Sequence, residues 1–296
     1  MKNIDPFNFF SIGNILIIIF LGVIVLIVSL YSYPIFQEEG IRYVITSAWD
    51  PVKEVYGIAF AIGGTLITSF IAIILAILLA IASAVFIIEI APLKLRPFLD
   101  IITDLAATIP TVIYGLWGIY FLAPFVRDYI MSPLINLFPG ITSILGYYVG
   151  SGASLFTASI LLAIMIYPFA TSIIREGLRS IPNSIREALY SLGLTKWEVI
   201  KHELLYIRSS IITGSLVAFG RAVGETVAVA MVVGNAFNPL FYMIFKPGYT
   251  VSSLIANQFL SATGLAVSAL YGAALVIFLI GLVVNLVVIL YLRRLR

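Results

Sequence analysis

The chain has 296 residues, of which 61 % are hydrophobic and 10 % charged, and its formal net charge is +3. An ordinary soluble domain carries about 25 % charged residues, so that class is excluded. There is no cysteine, which removes disulfides, thiolate metal sites and a cysteine nucleophile; the small positive excess follows the membrane rule below, so nucleic acid is not an expected partner.

The apolar runs match the roughly 20 residues that a bilayer core demands of a helix. Residues 1–12 are a short polar-aromatic tail with Lys2. The first span, 13–33, ends at Tyr33-Pro34. It is too long for a signal peptide and no small-residue cleavage site follows, so it reads as an anchor. A polar loop, 34–57, carries Glu38, Glu39, Arg42, Trp49, Asp50 and Glu54. The second span, 60–88, begins near Gly63-Gly64-Thr65 and ends at the turn 91–97. The third, 99–123, is broken by Pro110, and a loop with Pro133 and Pro139-Gly140 covers 124–152. The fourth, 153–174, contains Pro168. A polar stretch, 175–208, precedes the fifth span, 209–233. A loop, 236–264, leads to the sixth, 266–291, and Arg293, Arg294 and Arg296 follow. The expected fold is an all-α polytopic membrane protein with six transmembrane helices. Residues 1–57 hold the tail, first helix and outer loop; residues 58–296 hold a five-helix core.

Six spans place both termini on one side. That side carries Lys2, Lys94, Arg96, the six basic residues of 175–208 and the three at the C-terminus, twelve in all, against Arg42, Lys53, Arg127 and Lys246 on the other. Basic residues mark the cytoplasmic face. The expectation is a multi-pass plasma-membrane protein with both termini and the stretch 175–208 in the cytoplasm.

That stretch reads as a folded helical hairpin. Ser184 and Glu187 have capping-box spacing just after Pro182, and Thr195 and Glu198 repeat it. Ile185, Ala188, Leu189 and Leu192 share one face of the first helix. Gly193 supplies its stop. The apolar stripe has two possible covers, the protein's own spans or a partner.

Arg221 lies twelve residues into the fifth span, about 18 Å deep at 1.5 Å per residue. An arginine there costs about 2.5–3.5 kcal/mol on insertion scales. Glu225 follows one turn later, so the two either neutralise each other or face a polar pathway. The order is the weaker one for a helical ion pair, which prefers the acid first. Ser210, Gly214, Ala218 and Ala222 form one small-residue stripe, and Gly220, Gly224 and Ala228 another; such stripes admit a close neighbour. The span is therefore expected at the centre of the assembly. A guanidinium is the natural fork for a tetrahedral oxyanion. A carboxylate beside it repels a fully ionised anion but accepts a proton from hydrogen phosphate, which favours phosphate over sulfate.

Other polar groups have plainer readings. Asp100 and Asp104, one turn apart, are expected at the start of the third span, where the helix dipole favours them, rather than as a protease pair. Glu89 is expected at the interface beside Lys94 and Arg96. His202 is the only histidine, so no zinc site can form on it, and no catalytic or metal-binding residues are expected. Pro110 and Pro168 are expected to kink their spans; Pro110, beside Thr108 and Thr111, either lines the path or is a plain packing kink.

Glu187-Ala188-Leu189 and then Gly193 resemble the Glu-Ala-Ala loop of ABC importer permeases; Leu189 replaces the second Ala, and Glu203 and Tyr206 depart from the pattern's tail. The run Gly220-Arg-Ala-Val-Gly-Glu-Thr-Val-Ala-Val229 resembles that of phosphate ABC permeases, as does Ile109-Pro-Thr-Val-Ile-Tyr-Gly-Leu-Trp-Gly118, with Thr111 for the usual Ser. With Trp49-Asp-Pro51, the chain is most similar to PstC-type permease subunits. The resemblance implies a type I ABC importer permease fold and half of a phosphate translocation pathway. It implies a PstA-type second permease, a cytoplasmic PstB-type ATPase dimer and an extracytoplasmic PstS-type phosphate-binding protein as partners. Arg221, Glu225, Thr226 and Thr111 are expected along the substrate pathway. Ser184, Glu187, Ala188, Leu189 and Gly193 are expected to form the coupling helix that docks on the ATPase. No phosphate-binding G-x-x-x-x-G-K-[ST] loop occurs, so ATP and Mg are expected on the partner and no cofactor on this chain. The rivals are a sulfate or molybdate permease, an ion-coupled secondary anion carrier and an anion channel.

Overall fold

The computed structural model describes residues 6–294; Lys2 and Arg296, counted above, lie outside them. The long elements are α1 (Pro6–Glu38), α2 (Ala59–Val85), α3 (Arg96–Thr108), α4 (Thr111–Leu137) and α5 (Leu155–Arg179). The hairpin is α6 (Asn183–Ser191) and α7 (Lys196–Tyr206). Then come α8 (Arg208–Gly224), α9 (Val227–Val232), α10 (Val251–Gln258) and α11 (Leu265–Arg294). Between α1 and α2 a two-residue antiparallel ladder pairs β1 (Trp49–Asp50) with β2 (Val55–Tyr56).

Four helices are long and apolar enough to cross a bilayer unaided: α1, α2 with its π-helical extension to Ile90, α5 and α11. The third expected span is a pair, α3 and α4, bent by 90°. The fifth is also two pieces, of 17 and 6 residues. By length alone the count is therefore four, or five with the bent pair, rather than six continuous helices. Pro110 explains the first break, because a residue before proline is driven out of helical geometry; Ile109 sits at φ −60°, ψ 128°. The second break falls at Glu225, at φ −70°, ψ 126°, after two glycines four apart have weakened the helix.

Other boundaries differ for equally local reasons. α1 was expected to stop at Tyr33-Pro34 but runs to Glu38. Ser268 of α11 inserts beside the proline. Its hydroxyl accepts from Ile35 N–H at 3.3 Å and donates to Tyr31 O at 2.6 Å, which satisfies the disturbed ladder. The expected loop 124–152 is helical as far as Leu137. Pro124 and Pro133 are tolerated because the residue before each reaches five back, Ala123 N–H to Gly118 O and Ser132 N–H to Arg127 O. The ladder widens to a π-turn at each point where a proline lacks a donor. α5, by contrast, runs unbroken through the buried Pro168.

Two cores organise the helices. In the larger, Ala72, Ala76, Ala80 and Ala84 are all fully buried. Side chains every four residues form one ridge. A ridge of alanines lets α2 lie close along α5, where Ala158, Leu161, Leu162 and Ile166 are buried. The smaller core joins the end of α1 and the β1–β2 turn to α10 and α11 through Ile35, Tyr43, Tyr56, Phe60, Leu254 and Ala269.

Candidate functional site

The two broken spans are neighbours. A Cβ added to Gly115 of α4 would lie 2.5 Å from Met231 Sδ and 3.2 Å from Ala228 Cα, both of α9; one on Gly118 would lie 2.8 Å from Val232. Only the missing side chains allow that approach. The bend between α3 and α4 is bridged by Tyr114, whose hydroxyl donates to Ala106 O at 2.8 Å. Beside it a cavity of about 300 Å³ is lined by Ile109, Ile113, Tyr114, Trp117 and Ile164.

Arg221 sits one turn before the second break. Its guanidinium carbon lies 4.2 Å from the centre of the Phe169 ring of α5, a cation–π distance. Its Nε is buried and without a hydrogen-bond partner. Arg221 forms no ion pair with Glu225 among the described residues. The i, i+4 relation considered from the sequence does not exist, because α8 ends at Gly224 and Glu225 leaves the helical path. Glu225 instead turns toward α9, with Ala228 N–H 3.4 Å from Oε1. The Thr226 hydroxyl donates to Gly224 O at 3.2 Å. Arg221, Glu225 and Thr226 thus share one break. Thr111 is the first residue of α4, at the other.

On the hairpin, Ser184 does not cap. α6 starts at Asn183 after an extended Pro182 (φ −60°, ψ 139°), and no side-chain cap bond forms. Proline already holds the entry geometry, so Ser184 falls inside the helix. At the second expected box the Glu198 carboxylate accepts from the Thr195 N–H at 2.8 Å and the Thr195 hydroxyl at 2.7 Å. Those bonds hold the Glu198 carboxyl below the usual carboxylate range. Gly193 adopts the left-handed conformation expected of it, φ +81°. The apolar stripe divides: Ile185 and Leu189 are half-buried, while Glu187, Ala188 and Leu192 (78 % exposed) face outward, with Trp197 (61 %) beyond them.

Three acids near this end, Asp100, Asp104 and Glu89, are paired with arginines. Asp100 and Asp104 are not dipole-stabilised N-terminal residues as expected, for they lie within α3 and face α5. Arg175 Nη1 is 2.9 Å from Asp100 Oδ1, and Nη2 is 2.8 Å from Asp104 Oδ1; Arg179 also reaches Asp100. Glu89 pairs with Arg186 at 3.2 Å. Sequence reading missed these pairs because each spans about 70 to 100 positions. No cluster of acids and histidines suited to a metal occurs among the described residues.

Residues 76–296 match the family model for the binding-protein-dependent transport system inner membrane component. A probable phosphate transport system permease protein PstC of Methanocaldococcus jannaschii is 45 % identical over all of this chain and 96 % of its own length. The chain belongs to the PstC family of binding-protein-dependent transport permeases. Other PstC permeases are similar over most of their length. That of Mesorhizobium japonicum is 38 % identical over 90 % of this chain and 82 % of its own. That of Pasteurella multocida is 39 % identical over 86 % and 80 %. Among solved structures, a chain of the MetNI methionine ABC transporter, inward facing, superposes with a TM-score of 0.60 at 14 % identity, covering 84 % of this chain and all of that one. At that identity the likeness is one of fold: this permease has the ABC importer permease architecture, and it is a multi-pass membrane transport subunit.

Proposed function

We propose that this permease forms half of the translocation pathway of an ATP-driven importer of inorganic phosphate, with Arg221 as the group that meets the anion. The observation that carries the reading is the state of that guanidinium. It is stacked on Phe169, its Nε is buried and unbonded, and no acid neutralises it among the described residues. A planar cation held by an aromatic face keeps its edge donors for an oxyanion. The named relatives supply phosphate as the anion. Glu225, released from the helix at the same break, accepts a hydrogen bond from the protonated oxygen of hydrogen phosphate. Thr226 and Thr111 contribute hydroxyls from the two breaks.

The partners in this reading are those that similarity to the PstC relatives implies. α6 offers Glu187, Ala188 and Leu192 to a cytoplasmic ATPase of the PstB type, which hydrolyses ATP, since the sequence has no nucleotide loop of its own. A PstA-type permease completes the pathway, and a PstS-type binding protein delivers phosphate from outside. The distribution of basic residues supports a cytoplasmic hairpin and cytoplasmic termini. ATPase closure pushes α6, and the motion opens the path at Arg221 to alternate sides.

Reconstitution tests this reading. Vesicles holding this chain with both partners are expected to accumulate phosphate only with ATP and binding protein. Accumulation by this chain alone, without nucleotide, would make it a secondary carrier and end the proposal.

A further inference from the structure

At the root of the hairpin one guanidinium joins four elements. Arg186, in α6, donates Nε to Glu203 Oε1 of α7 at 2.6 Å. Its Nη2 donates to Glu89 Oε1, in the π-turn that ends α2, at 3.2 Å, and to Leu178 O, in the last turn of α5, at 3.0 Å. The site is enclosed. The Glu203 side chain is 0 % exposed, Glu89 13 % and Arg186 24 %. Glu203 Oε2 is buried and has no partner. Arg96 and Lys196 also face Glu89, but Arg96 Nε is committed to Ala91 O at 3.1 Å. Apolar attachment of α6 is thin by comparison, because none of its residues is fully buried.

We infer that Arg186 is the positioning residue that carries displacement of α6 into α2 and α5. This rests on the reading of α6 as the helix that an ATPase pushes. A half-buried Ile185 and Leu189 alone would let a short helix slide over the ends of the spans. A rigid fork shared by three partners does not slide, because its donors are fixed in one plane. Among the described residues Arg186 is the one guanidinium that pairs with both enclosed acids, so the two cannot part from it without leaving charge poorly compensated. A push on α6 therefore moves the ends of α2 and α5 with it. Glu203, which departs from the Glu-Ala-Ala loop pattern, has a place in this scheme as the fully enclosed anchor of the fork.

The test uses the assembled transporter in vesicles, with ATP hydrolysed and phosphate accumulated measured on the same sample. Arg186→Met is expected to co-purify with the ATPase and to hydrolyse ATP, while phosphate moved per ATP falls about threefold to thirtyfold. Arg186→Lys, which keeps the charge but not the fork, is expected to recover part of that ratio. Glu203→Gln keeps the volume and removes the anchor's charge, so it is expected to lower the ratio even if Arg186→Met fails to assemble. An unchanged ratio in Arg186→Met or Glu203→Gln would overturn the inference. So would a proportional fall of both activities, which would make the cluster a matter of folding alone. A wild-type assembly with no nucleotide-driven uptake would instead remove the functional reading beneath it.

Discussion

Arg221 lies over the ring of Phe169, its guanidinium carbon 4.2 Å from the ring centre, and it does so on a helix that ends three residues later. The break is what separates it from Glu225. A continuous helix would have set the acid one turn away on the same face and cancelled the charge. Stopping α8 at Gly224 leaves the positive charge on an aromatic face instead.

Replacing Phe169 should therefore act through Arg221. A cation–π contact is worth about 0.5–2 kcal/mol, or roughly twofold to thirtyfold in affinity. Phe169→Leu is expected to weaken phosphate transport within that range, and Phe169→Tyr to preserve it. Concentration dependence of ATP-driven uptake is the measurement; equal curves for Leu and Phe would deny the ring its part.

Glu225→Gln should blur discrimination between anions. The carboxylate accepts a hydrogen bond from the protonated oxygen of hydrogen phosphate and repels an anion that has no such donor. Competition of sulfate against phosphate uptake is expected to strengthen in the variant. Unaltered selectivity and rate would remove Glu225 from recognition.

The contact between the two broken spans can be tested by stability. A methyl on Gly115 meets Met231 Sδ at 2.5 Å, and overpacking of this kind costs about 1–3 kcal/mol. Gly115→Val should lower the thermal stability of the purified protein. Gly220 has nothing within 4 Å of an added Cβ, so Gly220→Ala should be neutral or stabilise by up to about 1 kcal/mol. Equal losses for the two would contradict the packing.

The ion pairs between α3 and α5 should be unequal. The Arg175 side chain is 6 % exposed and holds two acids; Arg179 is 42 % exposed. Arg175→Met is expected to cost about 3 kcal/mol, discounted from the fully buried range because Asp104 reaches solvent. Arg179→Met should cost about 0–1 kcal/mol. Denaturation in detergent ranks the two, and the reverse order would refute the assignment.

Acid should loosen α7 first at its N-terminus. Thr195 holds the Glu198 carboxyl below its ordinary value, so the unfolded state binds the proton more readily. The stabilisation is present above the unfolded glutamate value of about 4.3 and is lost as pH falls through the lower folded value. Amide exchange at Thr195 should quicken in that window in the wild type. Glu198→Gln should exchange faster at neutral pH and show no such window.

Much of this molecule could be read from its chain, and the failures share a cause. Apolar length located the six runs, and Gly193 and Glu198 ended and opened their helices as local chemistry requires. Hydropathy does not register a break inside an apolar run, however. The stop at Gly224 depends on backbone geometry around Glu225, and the extension of α4 to Leu137 depends on π-turns placed ahead of prolines. Ser184 misled because Pro182 had already set the helix entry. The pairs of Arg186 and Arg175 were invisible because their partners come from other spans.

The most direct measurement concerns the guanidinium itself. Initial rates of ATP-driven phosphate uptake should be compared between wild type and Arg221→Gln in the assembled transporter, with assembly checked by co-purification. Loss of charge-assisted hydrogen bonds to the anion predicts a fall of about tenfold to a hundredfold. A rate equal to wild type would contradict the account.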